Sequence, residues 1–409
     1  KEFFSDDPKV ASKNLPAKMI DKLQVLDKKS DMAQMTGFDD GEEETVINLT
    51  VKPGMKQGWF GNAYGGYGSK DRYEGNAMVN RFVNNDQITF MGGANNTNNM
   101  GFSDLASTMF SGMGGGGGRR GGFGAGSGIT SSGNAGLNFS KEFKPDKLTL
   151  GGNTRYSHSD NDARSKSDRQ NILPGDSSSY DNSEAMSRTK SDNFGVDFRL
   201  EWKPDTMTQL IFRPSFSFSH SMNDNFSDAT TLDNERDTVN TNKSSNYSES
   251  NGYNLNASID FSRKLNNKGR VFSATLSGGN SDSYSDGMNR SDIVYFNQTD
   301  ALKNSIIDQR SRYDNKGFNY RAYVSWVEPI GHNNFIQATY SISQRKQEAL
   351  KNVYNQDADG IYNVLDSAYS QSYRNNFISQ RASLSFKSQR AKFNYTIGLN
   401  LDPSYSSSE

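Results

Sequence analysis

The chain has 409 residues, with 46 basic and 47 acidic side chains and a formal net charge of −1 at pH 7. This balance argues against a general nucleic-acid binder, whose surface would be basic. The lack of cysteine excludes disulfides and thiolate metal sites. Only 33% of the residues are hydrophobic but 11% are aromatic, and no apolar run is long enough for a membrane-spanning helix. The composition favours a polar, aromatic-rich β protein.

The first 55 residues differ from the rest of the chain. A helix is predicted over residues 14–26, where apolar side chains recur at helical spacing, namely Leu15, Met19, Ile20 and Leu23. The acidic segment 39–44 follows, and residues 45–51 predict a strand. These elements together predict a small α+β module.

From about residue 57 onward, apolar and polar residues alternate with a period of two. The clearest run places five apolar side chains on one face of a strand, namely Phe194, Val196, Phe198, Leu200 and Trp202. Such runs extend over nine or ten residues, which is the length of a tilted strand that crosses a bilayer; strands of soluble sandwiches are usually shorter. About thirteen strands of this kind can be counted, each with one apolar and one polar face.

The connections between these strands are predicted to alternate between short turns and long polar loops. The long loops are predicted at 97–131, 159–192, 219–250, 281–315 and 345–374. This sorting is typical of an antiparallel, up-and-down transmembrane β-barrel with its long loops outside. Aromatic residues predicted to lie at the inner membrane interface are Trp202, Trp326, Phe143 and Phe386. Residues predicted to line a polar lumen are Asn254, Asp260, Arg199, Glu201 and Arg321.

No residue pattern points to an enzyme or to a bound cofactor. The three histidines, His158, His220 and His332, belong to no nucleophile–base or zinc motif and are interpreted as exposed polar residues. The glycine-rich run 114–124 lacks the Gly-Lys-Ser/Thr ending of a phosphate-binding loop and is interpreted as a flexible loop.

One loop has the residue spacing of a calcium site. Oxygen-bearing side chains lie at positions 1, 3, 5, 9 and 12 of residues 355–366, with Gly360 at position 6. The candidate ligands are Asn355, Asp357, Asp359, Asn363 and Asp366. The last position is the shorter aspartate, so a solvated loop without calcium is the alternative interpretation.

Several segments resemble known outer-membrane proteins. Residues 11–25 (ASKNLPAKMIDKLQV) and 46–52 (VINLTVK) resemble the last half of the plug domain of TonB-dependent receptors. The sequences GNAYGGYG at 61–68, DRYEG at 71–75 and NNTN at 95–98 resemble the TonB-receptor-like outer-membrane β-barrel family of Bacteroidetes. Where ordinary receptors have a glycine-rich stretch before the last plug strand, this chain has the acidic segment 39–44.

The resemblance implies a barrel of about 22 strands with a plugged lumen. Residues 1–55 would then be the C-terminal part of the plug and residues 56–409 the N-terminal part of the barrel. Since thirteen strands is an odd number and bacterial barrels have even numbers, the chain is expected to be a fragment.

The implied function is that of a receptor or transporter in the outer membrane of a Gram-negative cell. Its expected partners are outer-membrane lipid, an extracellular ligand held by the long loops, and a TonB-type energy-coupling protein that acts through a missing N-terminus. Nucleic acid is not an expected partner. The alternatives are a non-transporting barrel that serves as a surface-binding or structural scaffold, and a soluble β-sandwich adhesin.

Overall fold

The structure is a computed structural model that describes residues 20–29, 43–52, 57–98, 128–172, 178–296, 305–331, 333–390 and 394–409. The regular elements of these residues are all β-strands, arranged as a two-stranded sheet and a fifteen-stranded sheet. A helix with the length and hydrophobicity of a membrane span does not occur in the described part of the chain.

The small sheet lies in the N-terminal region. It consists of β1 (Ile20–Lys29) and β2 (Glu43–Val51), which pair antiparallel with Leu23 opposite Leu49. The predicted strand at 45–51 is therefore confirmed. The predicted helix is wrong for residues 20–26, which are strand, and residues 14–19 lie outside the described residues. A short apolar run does not distinguish the two structures by its period alone, and pairing with β2 stabilises the extended form.

The large sheet is antiparallel, and nearly every strand pairs with the next one along the chain. Its strands are β3 (Gln57–Gly68), β4 (Arg72–Val83), β5 (Asp86–Asn95), β6 (Ile129–Lys144), β7 (Leu148–Asn171), β8 (Ser179–Trp202), β9 (Thr208–Leu232), β10 (Thr238–Lys264), β11 (Val271–Tyr295), β12 (Ser305–Pro329), β13 (Asn334–Gln356), β14 (Tyr362–Leu365), β15 (Gln371–Gln389), β16 (Asn394–Leu401) and β17 (Ser404–Ser408). This is the up-and-down order that the alternating pattern predicts.

The predicted number of about thirteen strands agrees with the sheet. β14 is a short strand that pairs only with the end of β13. β16 and β17 both pair with β15 and form one strand that is interrupted at Pro403, which has no N–H group to donate to the ladder. Thirteen strand positions therefore lie side by side between β3 and β16. Within the described residues these two edges do not meet, so the closed barrel and the plug remain predictions.

The strands are far longer than the sequence pattern predicts. β10 has 27 residues, about 90 Å of extended chain, whereas about 9–11 residues cross a bilayer. Four predicted loops are therefore wrong, because most of 159–192, 219–250, 281–315 and 345–374 is paired strand. Of the fifth, 97–131, residues 99–127 lie outside the described residues.

The missed strand segments have no continuous apolar face, so apolar alternation does not reveal them. In β7 the alternation is instead one of charge. On β7, charged side chains occupy every second position from Asp160 to Asp168, and Asn, Ala and Ser lie between them. Cross-strand hydrogen bonds and ion pairs contribute roughly 0.2–1 kcal/mol each, and a neighbouring strand satisfies each backbone group. Polar alternation was therefore the signal that could have found these strands.

The two faces of the large sheet differ in exposure. Phe194, Phe198 and Trp202 are exposed, whereas Arg155 and Ser157, which belong to the opposite face, are buried. With the exception of Ser388, the buried side chains of the described residues all lie on that opposite face. A single sheet shows this difference when it curves, so we call the buried, concave side the inner face and the other side the outer face.

A small apolar cluster lies on the inner face beside the short turns. Val271 and Val327 are opposite each other in the sheet and are almost fully buried, and Phe335 packs against them. Gly269, in the preceding turn, has a φ of 100° and is so close to the Phe335 ring that a Cβ atom would lie 2.9 Å from it. The turn therefore favours glycine both for its conformation and for its packing.

Candidate functional site

A continuous band of apolar side chains crosses the outer face near the short turns. On β8, β9 and β10 it consists of Phe194, Val196, Phe198, Leu200, Trp202, Leu210, Phe212, Pro214, Phe216, Phe218, Tyr253, Leu255, Ala257, Ile259 and Phe261. On β11 and β12 it continues through residues that include Leu276, Ala322, Val324 and Trp326. We call this band the apolar belt. In the register Phe216 pairs with both Val196 and Leu255, so the side chains form cross-strand rows.

The apolar belt is exposed. Phe198 retains 39% of its accessible surface, Trp202 47% and Leu276 56%. A β-sandwich would bury such a face against a second sheet, and within the described residues nothing covers it. Soluble proteins rarely expose an apolar patch that runs across so many neighbouring strands. The observation opposes the soluble sandwich alternative.

Aromatic residues border the apolar belt at both ends. At the end away from the short turns, Tyr156, Phe194, Phe218 and Tyr253 form one cross-strand row. At the turn end, the predicted residues Trp202, Trp326 and Phe143 are exposed on the outer face. The fourth predicted residue, Phe386, lies on the same face by register but is half-buried. Phe194 and Trp202 are eight residues apart, about 26 Å along the strand, or about 20 Å in height at the usual strand tilt of outer-membrane barrels.

The inner face at the level of the apolar belt is polar and charged. All five predicted lumen residues lie on it: Asn254, Asp260, Arg199, Glu201 and Arg321. The Asp260 carboxylate accepts hydrogen bonds from Arg213 and from Thr275 Oγ1, the latter at 2.8 Å. Glu201 forms ion pairs with Lys203 at 2.6 Å and with Arg199 at 3.5 Å. The Asp260 contacts join β10 to β9 and β11, whereas the ion pairs of Glu201 lie within β8 and the turn that follows it.

A buried network crosses four strands on the same face. Arg155, which is only 5% exposed, donates a hydrogen bond from Nη2 to Asp197 Oδ1 at 2.6 Å. Asn153 Nδ2 donates to the other carboxylate oxygen at 2.9 Å, and Asn138 donates to Asn153. Gln87 Nε2 donates to Asn138 Oδ1 at 3.2 Å. The network joins β5 to β8 through side chains that an apolar core would not contain.

Beyond the apolar belt, β7 to β12 continue as a polar sheet that we call the extension. It comprises residues 157–171, 179–193, 219–232, 240–252, 281–295 and 305–317. Its two faces differ in charge. On β9 the inner face carries Ser219, Ser221, Asn223, Asn225, Ser227, Ala229 and Thr231, and the outer face carries His220, Met222, Asp224, Phe226, Asp228, Thr230 and Leu232. Over the whole extension, only Arg169 and Asp181 bring a charge to the inner face.

Ion pairs join the strands on the outer face of the extension. Asp160 pairs with Arg188 at 2.8 Å and with Lys190 at 3.7 Å, and Asp286 pairs with Arg310. The hydrogen bond from Arg188 holds the pKa of Asp160 below its usual value, and the hydrogen bond from Arg310 does the same for Asp286. The charged outer face is therefore largely self-compensated.

Acidification is expected to destabilise the extension. The pKa values of Asp160 and Asp286 are lower in the folded chain than in the unfolded chain. The contribution of these two carboxylates to stability is therefore complete above their unfolded pKa of about 4. It is lost as the pH falls through the lower pKa of the folded state. Thermal unfolding in detergent, followed by circular dichroism at about pH 6 and about pH 3, measures the effect. Asp286→Asn should lower the Tm at pH 6 and reduce the difference between the two pH values. An equal difference in both proteins would contradict the assignment.

The two histidines that the structure describes, His158 and His220, form no catalytic arrangement. His158 Nδ1 is 2.8 Å from Asp192 Oδ1, and Tyr156 donates its hydroxyl hydrogen to the same oxygen. His220 Nδ1 is 2.8 Å from Asn251 Oδ1. Both histidines lie on the outer face just beyond the aromatic row. His332 and the glycine-rich run 114–124 lie outside the described residues.

The predicted calcium loop closes the hairpin between β13 and β14. Asp357 Oδ1 accepts hydrogen bonds from the backbone N–H groups of Asp359 and Ile361, and the latter bond lowers the pKa of Asp357. Asn363 donates to the other oxygen of Asp357. At the opposite side of the loop, Asn355 Nδ2 donates to Asp366 Oδ2 at 3.0 Å. The five candidates thus form two separate hydrogen-bonded groups, and no metal-sized cluster of three His, Cys, Asp or Glu side chains was found in the described part of the chain.

Calcium binding by residues 355–366 remains a prediction. If it is correct, about 1–5 mM calcium will slow amide hydrogen exchange in this loop, and Asp357→Asn will remove that protection. Asp233→Asn is the matched control, because Asp233 accepts backbone hydrogen bonds from Glu235 and Asp237 in the same way in another hairpin loop. Unchanged exchange in the presence of calcium would leave the solvated loop as the correct interpretation.

Comparison with known proteins gives structural neighbours only. No model of a known protein family matches the chain, and no curated protein matches it. Among solved structures, the unliganded ferric citrate transporter FecA aligns with 95% of this chain and 57% of its own, at 10% identity and a TM-score of 0.32. This chain therefore spans little more than half the length of FecA.

Two further neighbours are, by name, an outer-membrane receptor and an iron transporter. The alcaligin outer-membrane receptor FauA of Bordetella pertussis aligns with 97% of this chain and 83% of its own, at 10% identity and a TM-score of 0.18. The FrpB iron transporter of Neisseria meningitidis aligns with 95% and 87%, at 8% identity and the same TM-score. At these TM-scores the neighbours do not define the fold.

Proposed function

We propose that the large sheet is a wall of an outer-membrane β-barrel of the receptor or transporter type. The observation that carries this proposal is the exposed apolar belt on one face of an up-and-down sheet whose other face is polar. In water the belt would expose large apolar side chains on all its strands. This exposure would cost a free energy of roughly 25 cal/mol per Å² of apolar surface. Lipid removes that cost, and the polar inner face then lines a lumen.

The two edges of the sheet support the same proposal. Within the described residues, β3 and the strand formed by β16 and β17 each pair on one side only. Ile397, Leu399 and Leu401 on the second edge are exposed. Because unpaired backbone groups cost several kcal/mol each in lipid, we propose that further strands pair with both edges and close the barrel, and that residues 1–55 belong to a plug.

In the transport version of this proposal, ligand is captured at the extension and passes through the charged lumen. Arg199, Glu201 and Asp260 would line the route, and a TonB-type protein would supply the energy. In the scaffold version, the barrel holds the extension above the membrane and nothing passes. One observation favours the second version: the extension is an ordered, paired sheet where flexible capturing loops were predicted.

Cell fractionation tests the location. In cells that make the protein, it should separate with the outer membrane on a density gradient and resist extraction by salt and carbonate. Its mobility in detergent gels should differ between unheated and boiled samples. Recovery in the soluble fraction would contradict the proposal. Loss of ligand uptake, with retained surface binding, in cells without the TonB-type protein would support transport; unchanged behaviour would support the scaffold.

A further inference from the structure

The extension has a free edge along the outer part of β7. β6 begins at Ile129, which is opposite Asp162, so residues 163–171 of β7 pair only with β8 within the described residues. Residues 164–170 of this segment are all exposed. We call residues 163–171 the free edge. Such an edge leaves a row of backbone N–H and C=O groups that can pair with another strand.

The free edge differs from the two outer edges of the large sheet. Those edges cross the level of the apolar belt, where we propose that further strands close the barrel. The free edge lies farther along its strand: Ser167, at its centre, is eleven residues beyond Tyr156 of the aromatic row, about 36 Å of extended chain. In the proposed barrel the free edge therefore lies in water, where a strand of a second molecule can reach it.

Charged side chains on the free edge restrict which strands can pair with it. Its outer face carries Arg164, Lys166 and Asp168, and its inner face carries Arg169. Charges on an edge strand usually prevent pairing with other chains, because like charges directly opposite each other in a sheet are destabilising. A strand that pairs here must therefore place a neutral residue or the opposite charge at each of these positions.

The free edge is complementary to a second copy of itself in one register. Two copies related by a twofold axis pair antiparallel, and the axis must pass through a single residue, because directly opposed residues point to the same face. An axis at Ser167 places Lys166 opposite Asp168 of the second copy, twice by symmetry. Every other opposed pair, such as Arg164 with Gln170, then contains at least one neutral side chain.

The neighbouring registers bring like charges together. An axis at Lys166 or at Asp168 places that residue opposite its own copy, and an axis at Arg169 does the same for an arginine. An axis at Ser165 places Lys166 opposite Arg164. Among the five central positions, 165 to 169, only the axis at Ser167 avoids a like-charge pair. The charges therefore specify one register for self-pairing.

We propose that two copies of the protein pair through their free edges and thereby join two facing membranes. Antiparallel pairing points the two extensions in opposite directions, so the two copies must come from opposing surfaces. The inference rests on the proposed barrel, which places the extension outside the membrane, and it adds contact between cells to the function of that barrel.

The lengths of the strands fit this arrangement. At the usual strand tilt of outer-membrane barrels, Ser167 lies about 28 Å above the aromatic row, so the two membrane interfaces would be about 55 Å apart. The longest strand, β10, ends at Thr238, fifteen residues beyond Tyr253 of the aromatic row. This distance corresponds to about 38 Å in height, so the extension of one copy fits into the gap without reaching the opposite membrane.

Self-association of the full-length protein is the first test. In detergent, analytical ultracentrifugation should show a monomer–dimer equilibrium. Amide hydrogen exchange at residues 163–171 should slow as the protein concentration rises, because pairing protects the edge amides. In phospholipid vesicles the protein should cluster the vesicles, as measured by turbidity. Monomers at all concentrations, unchanged exchange at residues 163–171, or dimers that do not cluster vesicles would overturn the proposal.

A charge exchange tests the register. Lys166→Asp alone places aspartates opposite each other, and Asp168→Lys alone does the same with lysines, so each variant should dimerise at least about tenfold more weakly than the original protein. In a mixture of the two variants, aspartate is again opposite lysine at both positions. The affinity between the variants should therefore return to within about threefold of the original. A mixture no stronger than either variant alone, or variants as strong as the original, would overturn the proposal.

Lys243→Asp is the matched control. Lys243 lies on the outer face of β10, inside the sheet, and pairs with Asp228 at 3.6 Å, much as Lys166 pairs with Glu184 at 2.9 Å. Both substitutions break an exposed ion pair and bring two carboxylates together, but only Lys166 lies on the free edge. Lys243→Asp should therefore leave dimerisation unchanged, and equal weakening in both variants would overturn the assignment. Dimerisation in detergent needs no membrane, and outer-membrane fractionation reports separately on the proposed barrel.

Discussion

Replacement of Ala257 by arginine is expected to destabilise the protein by about 2–4 kcal/mol, the cost of an arginine at the lipid-facing midplane of a barrel. Ala257 lies on the outer face near the middle of the apolar belt, opposite Pro214 on β9 and Gly278 on β11. Both neighbours are small and uncharged, so the new guanidinium would face lipid without a partner. Urea unfolding in phospholipid vesicles, followed by tryptophan fluorescence, measures the change.

The control for this variant is Ser215→Arg at nearly the same depth. Ser215 is on the inner face and pairs with Asp197 in the register, so an arginine there meets water and a carboxylate. Its free energy of unfolding should change by less than about 1 kcal/mol. If the two variants were equally stable, or if Ser215→Arg were the less stable one, lipid would not be the environment of the outer face.

Asp197→Ala is expected to reduce the free energy of unfolding by about 3 kcal/mol, the lower part of the range for breaking a buried ion pair. The Arg155 side chain is only 6% exposed. The substitution removes the carboxylate with which its guanidinium is paired. It also removes the acceptor of the Asn153 amide. The lower part of the range applies because the Asp197 side chain itself is 32% exposed. The same urea unfolding experiment measures this loss.

Glu184→Ala is the matched control for the ion pair. Glu184 pairs with Lys166 at 2.9 Å, but both side chains are about two-thirds exposed, at 66% and 67%. Exposed pairs of this kind contribute about 0–1 kcal/mol, so the variant should unfold almost like the original protein. A large loss in Glu184→Ala, or none in Asp197→Ala, would contradict the difference in burial on which both expectations depend.

The sequence predicted the part of the fold in which one face is apolar. Around Phe194 to Trp202 the alternation specified the strand, its faces and its length within the apolar belt, because a register slip by one residue would exchange the two faces. The number of strands and their up-and-down order also followed from the repeated pattern. The assignment of Arg199, Glu201 and Asp260 to one face followed from the same period.

Elsewhere the sequence was misleading for two physical reasons. In the extension, neither face is apolar, and strand formation depends on pairing with neighbours that are distant in sequence, such as Asn225 with Asn246 and Asn246 with Asn289. At residues 20–26, the apolar side chains satisfy both a helical and an extended period, and only the partner β2 decides between them. The rows of polar side chains across the extension could not be predicted, because they exist only once the register of the strands is known.

In the proposed barrel, the side chains of the apolar belt face lipid while their neighbours along each strand face a water-filled lumen. The chain contains no cysteine, so single-cysteine variants at each position from 192 to 202 can carry one nitroxide label. Electron paramagnetic resonance of the protein in vesicles then compares label accessibility to oxygen, which concentrates in lipid, with accessibility to a water-soluble nickel chelate. We expect labels at 194, 196, 198, 200 and 202 to be accessible to oxygen and labels at the odd positions between them to be accessible to the chelate. The label at 192, beyond the apolar belt, should again be accessible to the chelate. Labels at 194, 198 and 202 that are shielded from both reagents, or no alternation at all, would contradict the proposed barrel.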